Sequence, residues 1–242
     1  MKKTIFETII NKYLINDDID SVLISVENSV IKIPFMMPSA SVLGYVQYDN
    51  FNVMDFEFGL CNHSNFLKNV KIMSDEFDII TYDDKLYLKD KFLTIEYFSQ
   101  IKETISYLDK IDSIYELDEH DFDVSYIFDK DFVNKFIKIA SVDKYEVQDT
   151  FILKENKKDS SKFELKLGKL SKIKFEIDAH RLTQTNSKDV IIGTKDFESI
   201  LSKNKDLVEG YLYFKEGLVK LSFLNQDGIK STYFMATHDR EH

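Results

Sequence analysis

Residues 77–98 read FDIITYDDKLYLKDKFLTIEYF, and residues 212–223 read LYFKEGLVKLSF. In both stretches apolar and β-branched residues alternate with polar ones on either side of a short polar turn, the pattern of an antiparallel hairpin. A segment with apolar residues at helical spacing precedes each hairpin, at 62–73 and after Gly193. We expect Thr194 to be the N-cap of that second helix. Each of these two stretches therefore predicts a helix followed by a pair of strands.

The order of elements in the first half of the chain is repeated in the second half. Phe66 aligns with Phe197, Asp84 with Glu216, and Tyr97-Phe98 with Tyr233-Phe234, at offsets of 131, 132 and 136 residues. An internal repeat of this kind predicts an α+β chain of two similar domains, each with two helices on a strand-rich sheet. Helices are predicted at 4–14, 62–73, 129–143 and from 194, and strands at 21–26, 29–35, 42–48, 52–58, 78–82, 86–89, 92–98, 147–154, 162–168, 172–178, 188–193, 210–214, 218–224 and 231–236.

The stretch between the two repeats differs in composition. Acidic residues crowd it, with apolar residues such as Ile111, Ile114, Tyr115 and Leu117 between them. We therefore predict an N-terminal domain over 1–105, a connector over 106–125 and a C-terminal domain over 126–242.

Composition limits the classes of function. The chain has 242 residues, 43% of them hydrophobic, and its formal net charge is -10, which would ordinarily repel nucleic acid. The single cysteine, Cys61, excludes internal disulfides and zinc sites built on cysteines, so a reducing compartment is expected. No apolar run is long enough to span a membrane and the N-terminus does not resemble a signal peptide, so the expected location is the cytoplasm.

The lysines are concentrated in the helices. Taken as 2–13, 61–73, 129–144 and 194–205, the helices hold twelve lysines and six acids, so they carry +6 while the rest of the chain carries -16. Helices that face a phosphate backbone, with sheets that face solvent, would explain this separation, although exposed lysines on helices are also ordinary surface residues. The residues expected to face DNA are Lys2, Lys3, Lys12, Lys68, Lys71, Lys135, Lys138, Lys195 and Lys203.

The sequence contains no motif that requires catalysis. It has no phosphate-binding loop, no dinucleotide fingerprint, no nucleophile elbow and no HExxH. None of the five histidines is at metal-ligand spacing from another on a predicted element. Cys61 could form a reactive thiolate at a helix start, but a small half-buried side chain explains it better because no base is evident. We expect no catalytic residue, no metal and no cofactor.

The repeated domains, the acidic total charge and the lysine-rich helices resemble the DNA sliding clamps, most closely those of T-even-type tailed bacteriophages. The stretch Phe58 to Tyr97 and the C-terminal runs LYFKEGLVKLSF and STYFMATHD carry this resemblance. It implies the DNA clamp fold and a head-to-tail homotrimeric ring, loaded by a separate ATP-driven clamp loader. The helices would line a hole that holds duplex DNA without sequence preference. Such a protein performs no bond chemistry and is a processivity factor for the replicative DNA polymerase.

The resemblance also implies two protein-binding surfaces. Edge strands 92–98 and 172–178 of neighbouring subunits would form the seam of the ring, through Phe92, Thr94, Glu96, Phe98, Lys172, Lys174 and Glu176. Hydrophobic peptides of the polymerase and the clamp loader would bind in a pocket between the domains, beside the connector and the C-terminal tail. Its expected residues are Ile111, Ile114, Tyr115, Leu117, Tyr233, Met235, Ala236 and His238.

Two other interpretations remain open at this point. A virion or other structural protein of two strand-rich domains would explain the repeat and the lack of catalytic motifs, but it would leave the lysine-rich helices unexplained. A metal-dependent nuclease could use paired carboxylates such as Asp17-Asp18, Asp83-Asp84 or Asp118-Glu119, although acidic pairs in turns are usually solvent-exposed.

Overall fold

The computed structural model divides the chain into two compact units. The first consists of Met1–Asp112 with Asp227–Ser231, and the second of Ser113–Gln226 with Thr232–His242. The structure describes residues 1–16, 19, 21–100, 102–105, 107–108, 117–142, 150–155, 162–167, 173–178 and 190–238.

In its described residues, the first unit contains two α-helices and seven strands. Its elements are α1 (Lys3–Tyr13), β1 (Ser21–Glu27), β2 (Val30–Met36), β3 (Val42–Tyr48), β4 (Phe56–Cys61), α2 (His63–Ile72), β5 (Asp78–Tyr82), β6 (Lys85–Lys89) and β7 (Thr94–Phe98). The strands form two antiparallel groups, in the orders β4-β1-β2-β3 and β5-β6-β7.

The second unit repeats this order and has one strand more at its start. Its elements are β8 (Val124–Phe128), α3 (Lys130–Val142), β9 (Thr150–Glu155), β10 (Lys162–Leu167), β11 (Ile173–Asp178), β12 (Val190–Gly193), α4 (Thr194–Lys203), β13 (Leu207–Lys215), β14 (Leu218–Asn225) and β15 (Lys230–Ala236). The antiparallel strand orders are β11-β10-β9-β12 and β15-β14-β13-β8.

In each unit the two helices meet through a buried pair of phenylalanines. The rings of Phe6 and Phe66 lie 5.9 Å apart at 77°, and those of Phe136 and Phe197 lie 5.0 Å apart at 64°. Edge-to-face contacts of this kind add to the stabilisation that comes from burying the rings. The repeat inferred from Phe66 and Phe197 therefore corresponds to the same position in both cores.

Each unit also fixes its second helix to its last strand by an asparagine–tyrosine hydrogen bond. Asn69 Nδ2 donates to Tyr97 Oη at 2.6 Å in the first unit, and Asn204 Nδ2 donates to Tyr233 Oη at 3.0 Å in the second. The tyrosine positions agree with the alignment of Tyr97 and Tyr233 in the sequence.

After its last strand, each unit returns to the strand that precedes its second helix. The Gln100 N–H donates to the Gly59 carbonyl at 2.8 Å, and the His238 N–H donates to the Ile191 carbonyl at 2.9 Å. Gly59 has to be glycine because the Gln100 carbonyl oxygen occupies the space of a β-carbon. At Gly193, by contrast, a β-carbon would lie 3.6 Å from His238 Nε2, an ordinary contact.

Two local predictions are wrong. The strand predicted at 52–58 runs over Phe56–Cys61, because the Val53 N–H donates to the Phe51 carbonyl in a tight turn that precedes it. Thr194 is the first helical residue and not the N-cap, because Gly193 takes the extended cap conformation and Thr194 is buried. The other predicted helices and strands are present with boundaries within three residues.

Asp90 fixes the turn between β6 and β7. Its carboxylate accepts the backbone N–H groups of Ser74, Phe92 and Leu93 at 2.7 to 2.8 Å. The hydrogen bond from Ser74 and those from the turn hold the pKa of Asp90 well below its usual range, because they favour the charged form.

We predict that Gly59→Ala lowers the stability of the protein by about 2 kcal/mol, because the new methyl group forces the Gln100 carbonyl away from β4. Gly193→Ala is the matched control and should cost roughly 1 kcal/mol or less, since the position has room. Urea unfolding of both variants measures the difference. Equal losses would show that the close approach at Gly59 relaxes without cost.

We predict that Asp90→Ala lowers the urea midpoint at neutral pH. Because folding depresses the pKa of this carboxyl, its contribution is complete above the unfolded value of about 4 and is lost as the pH falls below it. The difference in urea midpoint between wild type and variant should therefore stay constant from pH 7 to about 5 and become smaller below about pH 4. A difference that is constant down to about pH 2 would mean that the carboxylate charge does not stabilise the turn.

Candidate nucleic-acid interface

Each helix presents one row of side chains away from its buried phenylalanine. The rows follow i, i+4, i+7 spacing, which places three residues on one side of a helix. They consist of Thr4, Thr8 and Asn11 on α1, Ser64, Lys68 and Lys71 on α2, Asp131, Lys135 and Lys138 on α3, and Lys195, Ser199 and Ser202 on α4. All of these residues are exposed or half-buried.

The net charge of each row is zero or positive. The row on α1 is uncharged, the row on α2 carries +2, and those on α3 and α4 each carry +1. Helix α2 contains no acidic residue at all. The whole chain carries a net charge of -10, so these rows would repel an anion less than the chain as a whole does.

Most of the lysines that we expected to face DNA are exposed, and one is buried. Lys2, Lys68, Lys71, Lys135, Lys138 and Lys195 are exposed, and Lys203 is half-buried. Lys3 is held at the start of α1, where its ammonium donates to the Met73 carbonyl at 2.9 Å and lies 3.5 Å from Asp75.

The expectation that Lys12 faces DNA has to be corrected. Its relative exposure is 2%, so it cannot contact a phosphate. It lies in the last turn of α1, and the residues that follow it, Tyr13, Leu14 and Ile15, are all buried as the chain leaves the helix. Helical periodicity does not reveal how the end of a helix is covered.

The neutral members of the rows were not found from the sequence. Ser64, Ser199 and Ser202 lie in the same rows as lysines, and Thr4 and Thr8 lie in the uncharged row of α1. Hydroxyl groups donate hydrogen bonds to phosphate oxygens. The signal that could have revealed them is the i, i+4, i+7 recurrence of small polar residues opposite each apolar stripe.

Two residues of the predicted peptide pocket are part of the core of the second unit. Tyr233 and Met235 have relative exposures of 0% and 2%, so neither offers surface to a peptide. Tyr233 also packs edge-to-face on Phe223, with ring centroids 5.7 Å apart. Leu117 is half-buried, and Ala236 and His238 are exposed. Ile111, Ile114 and Tyr115 lie outside the described residues.

The C-terminal end of the predicted connector is anchored on a nearly buried lysine. Lys220 Nζ donates to the Leu117 carbonyl at 3.2 Å and lies 5.3 to 5.9 Å from the ring centroids of Tyr213, Phe122 and Phe234. Burial lowers the pKa of this ammonium, and the carboxylates at 118, 119 and 121 act in the opposite direction. No local pattern indicates this cluster, because the lysine and the connector are about 100 residues apart.

The Tyr213 side chain joins the same cluster. Its hydroxyl donates to Glu119 Oε1 at 2.9 Å. Burial, together with this hydrogen bond, raises the pKa of Tyr213. The ammonium of Lys220 and the hydroxyl of Tyr213 therefore hold residues 117–122 against β13 and β14.

The two strands that we expected to form the seam lie at edges of their strand groups. Strand β7 is at one edge of β5-β6-β7, and β11 is at one edge of β11-β10-β9-β12. Phe98 on β7 is 65% exposed, and Phe92, in the turn before it, is 83% exposed. Thr94 is exposed, and Glu96 forms a 2.7 Å ion pair with Lys85. Lys172 lies outside the described residues, and of Lys174 and Glu176 only the backbone in β11 is described.

The thiol and the carboxylates form no recognisable chemical site in the described part of the chain. Cys61 is exposed at the end of β4, directly before α2. Among the described residues, no group of three or more His, Cys, Asp or Glu side chains could hold a metal ion. None of the described helices is long and apolar enough to cross a membrane.

The sequence matches no family model and no curated protein. The structure, however, resembles solved sliding clamps over its whole length. A clamp from A. fulgidus, PCNA with the C-terminal region of FEN-1 bound to it, superimposes with a TM-score of 0.80 at 14% identity, covering 100% of this chain and 98% of that one.

Two further clamps give the same result. The Sulfolobus tokodaii PCNA2-PCNA3 complex matches with a TM-score of 0.73 at 14% identity, over 98% of this chain and 97% of that one. Proliferating Cellular Nuclear Antigen from Entamoeba histolytica matches with a TM-score of 0.69 at 13% identity, over 99% and 97%. The chain therefore has the PCNA-like DNA clamp fold, with two similar domains of helices and antiparallel sheets, as the sequence predicted.

Proposed function

We propose that this protein is a sliding clamp that encircles duplex DNA and tethers a replicative DNA polymerase to it. The proposal rests on the rows of side chains on α1 to α4 that face away from the buried phenylalanines. In a chain of net charge -10 with the clamp fold, each of these rows is neutral or positive. A protein of this kind holds DNA topologically and catalyses nothing, so weak affinity for DNA is compatible with slow dissociation.

Contact with DNA would be made to phosphates only. The lysines of α2, α3 and α4 would neutralise phosphates, and the hydroxyl groups in the same rows would donate hydrogen bonds to them. Such contacts carry no base information, which permits sliding along any sequence.

Ring closure would use β7 of one chain and β11 of the next, in a homotrimer. The support is that both strands lie at edges and that Phe92 and Phe98 are largely exposed beside β7. An edge strand with exposed aromatic residues is a template for pairing with another chain. The remaining proposed seam residues are Thr94, Glu96, Lys172, Lys174 and Glu176.

Partner proteins would bind through hydrophobic peptides beside the connector and the C-terminal tail. The A. fulgidus clamp, which has the same fold, holds the C-terminal region of FEN-1. For this chain the proposed residues are Ile111, Ile114, Tyr115, Leu117, Ala236 and His238, and the proposed partners are a DNA polymerase and an ATP-driven clamp loader. A tailed bacteriophage origin, with action in the host cytoplasm, fits the sequence resemblance.

We predict that replacing Lys68, Lys71, Lys135 and Lys138 by glutamate abolishes the gain in processivity while the fold is kept. Each lost phosphate contact should lower the slope of log affinity against log salt by about 0.9. Primer extension with the cognate polymerase and loader measures tract length. Lys89→Glu with Lys91→Glu, on exposed lysines outside the helices, is the matched control. Normal tract length in the helix variant would exclude these rows from DNA contact.

We predict that the protein in solution has the mass of three chains of 28.4 kDa. The Phe98→Asp variant should no longer form this trimer. A buried carboxylate beside β7 would oppose subunit contact, so the dissociation constant should rise by at least about tenfold. Light scattering after size exclusion, over a range of concentrations, measures the mass. Met54→Asp, at a residue that is 71% exposed and far from β7 in sequence, should leave it unchanged. A trimer that survives Phe98→Asp would place the seam elsewhere.

A further inference from the structure

The two edge strands of the proposed seam alternate in the same way between two kinds of residue. In β7, Ile95 and Tyr97 are half-buried. Thr94, Glu96 and Phe98, which alternate with them, are exposed. Strand β11 reads IKFEID from residue 173, so its apolar and charged residues also fall on opposite faces of the strand. Pairing of β7 with β11 therefore brings like faces together only in certain registers.

The direction of pairing follows from the sheets to which the two strands belong. Strand β7 pairs antiparallel with β6, and β11 pairs antiparallel with β10, so we take the seam to be antiparallel as well. A slip by one residue would set the apolar face of one strand beside the charged face of the other. A slip by two residues keeps like faces together, so the charges have to decide between such registers.

Two registers keep like faces together and place four or five residues of β7 opposite β11. In the first, Glu96 is opposite Lys174 and Ile95 is opposite Phe175. In the second, which is shifted by two residues, Glu96 is opposite Glu176. Opposite charges on facing positions of neighbouring strands attract, and like charges there are destabilising. The charges therefore select the first register.

Glu96 has room for a second ammonium. Its Oε1 lies 2.7 Å from Lys85 Nζ, on the neighbouring strand of its own sheet, and its side chain is 38% exposed. An ionised carboxylate has two oxygens with about four lone-pair sites. It can therefore hold the lysine of β6 on one side and a lysine from another chain on the open side of β7.

We propose that an ion pair between Glu96 of one subunit and Lys174 of the next sets the register of the seam. The inference rests on the proposed ring and names the pair that positions its two edge strands. An exposed ion pair adds little affinity by itself. Its effect is on specificity, because the register shifted by two residues has to place Glu96 against Glu176.

The first test is an exchange of charges in a Lys85→Met background, where neither substitution meets the lysine of its own sheet. Lys85→Met alone should keep the mass of the ring. Adding Glu96→Lys or Lys174→Glu should raise the dissociation constant at least about tenfold, because repulsion then acts at every seam. Both substitutions together should restore it to within about threefold. Light scattering over a range of concentrations measures the mass.

Three outcomes of the exchange would overturn the proposal. In the shifted register Glu96→Lys would tighten the ring, because the new charge would face Glu176. A double variant as weak as either single one would show that the two residues do not meet. Loss of the ring in Lys85→Met alone would mean that Glu96 acts through its own sheet.

Engineered disulfides locate the register directly. In a Cys61→Ser background, oxidised glutathione should join chains with Thr94→Cys and Glu176→Cys into a covalent trimer, because these positions are opposite in the first register. The matched control, Thr94→Cys with Asp178→Cys, pairs only in the shifted register and should stay unlinked. The reverse result would overturn the proposal.

The Phe98→Asp variant separates failure of the register from failure of the ring contact. A trimer that survives this substitution would place the seam elsewhere, and both proposals would fall. Dissociation of that variant, together with no recovery in the charge exchange, would keep the seam and overturn only its register.

Discussion

The contact between two phenylalanines, one from each helix of a unit, is the interaction on which the rest of the structure depends. Phe6 with Phe66, and Phe136 with Phe197, fix which side of every helix is buried. Once that side is set, the i, i+4, i+7 row opposite to it has to face solvent. The polar rows and the proposed contact with DNA thus follow from where the aromatic rings lie.

Much of the fold was predictable because its signals are local. The alternation of apolar and polar residues predicted the strands, and apolar residues at 3.6-residue spacing predicted the helices. The turns at Asp83-Asp84 and Glu216-Gly217 helped to align the two halves of the sequence. Two errors were local, at the turn before β4 and at the start of α4. The errors at site residues concern burial. Nothing near Lys12 or Tyr233 in the sequence shows that each lies in a closed part of its own unit.

The candidate site was predictable only in part for the same reason. Charge counting found the helices that carry lysine, but it could not separate the exposed Lys68 and Lys71 from the buried Lys12. The Lys220 cluster joins the connector to β13 and β14 over about 100 residues, and no spacing rule describes such a contact. Repeats also conceal differences: the alignment that identified two similar halves did not indicate strand β8, which pairs with β13.

The position of the only thiol has a practical consequence. Cys61 is exposed and directly precedes α2, the helix that carries Lys68 and Lys71. A maleimide dye would therefore attach once per chain without mutagenesis, within a few residues of this row. Energy transfer from that dye to a labelled duplex would measure in real time whether single molecules move along DNA as proposed.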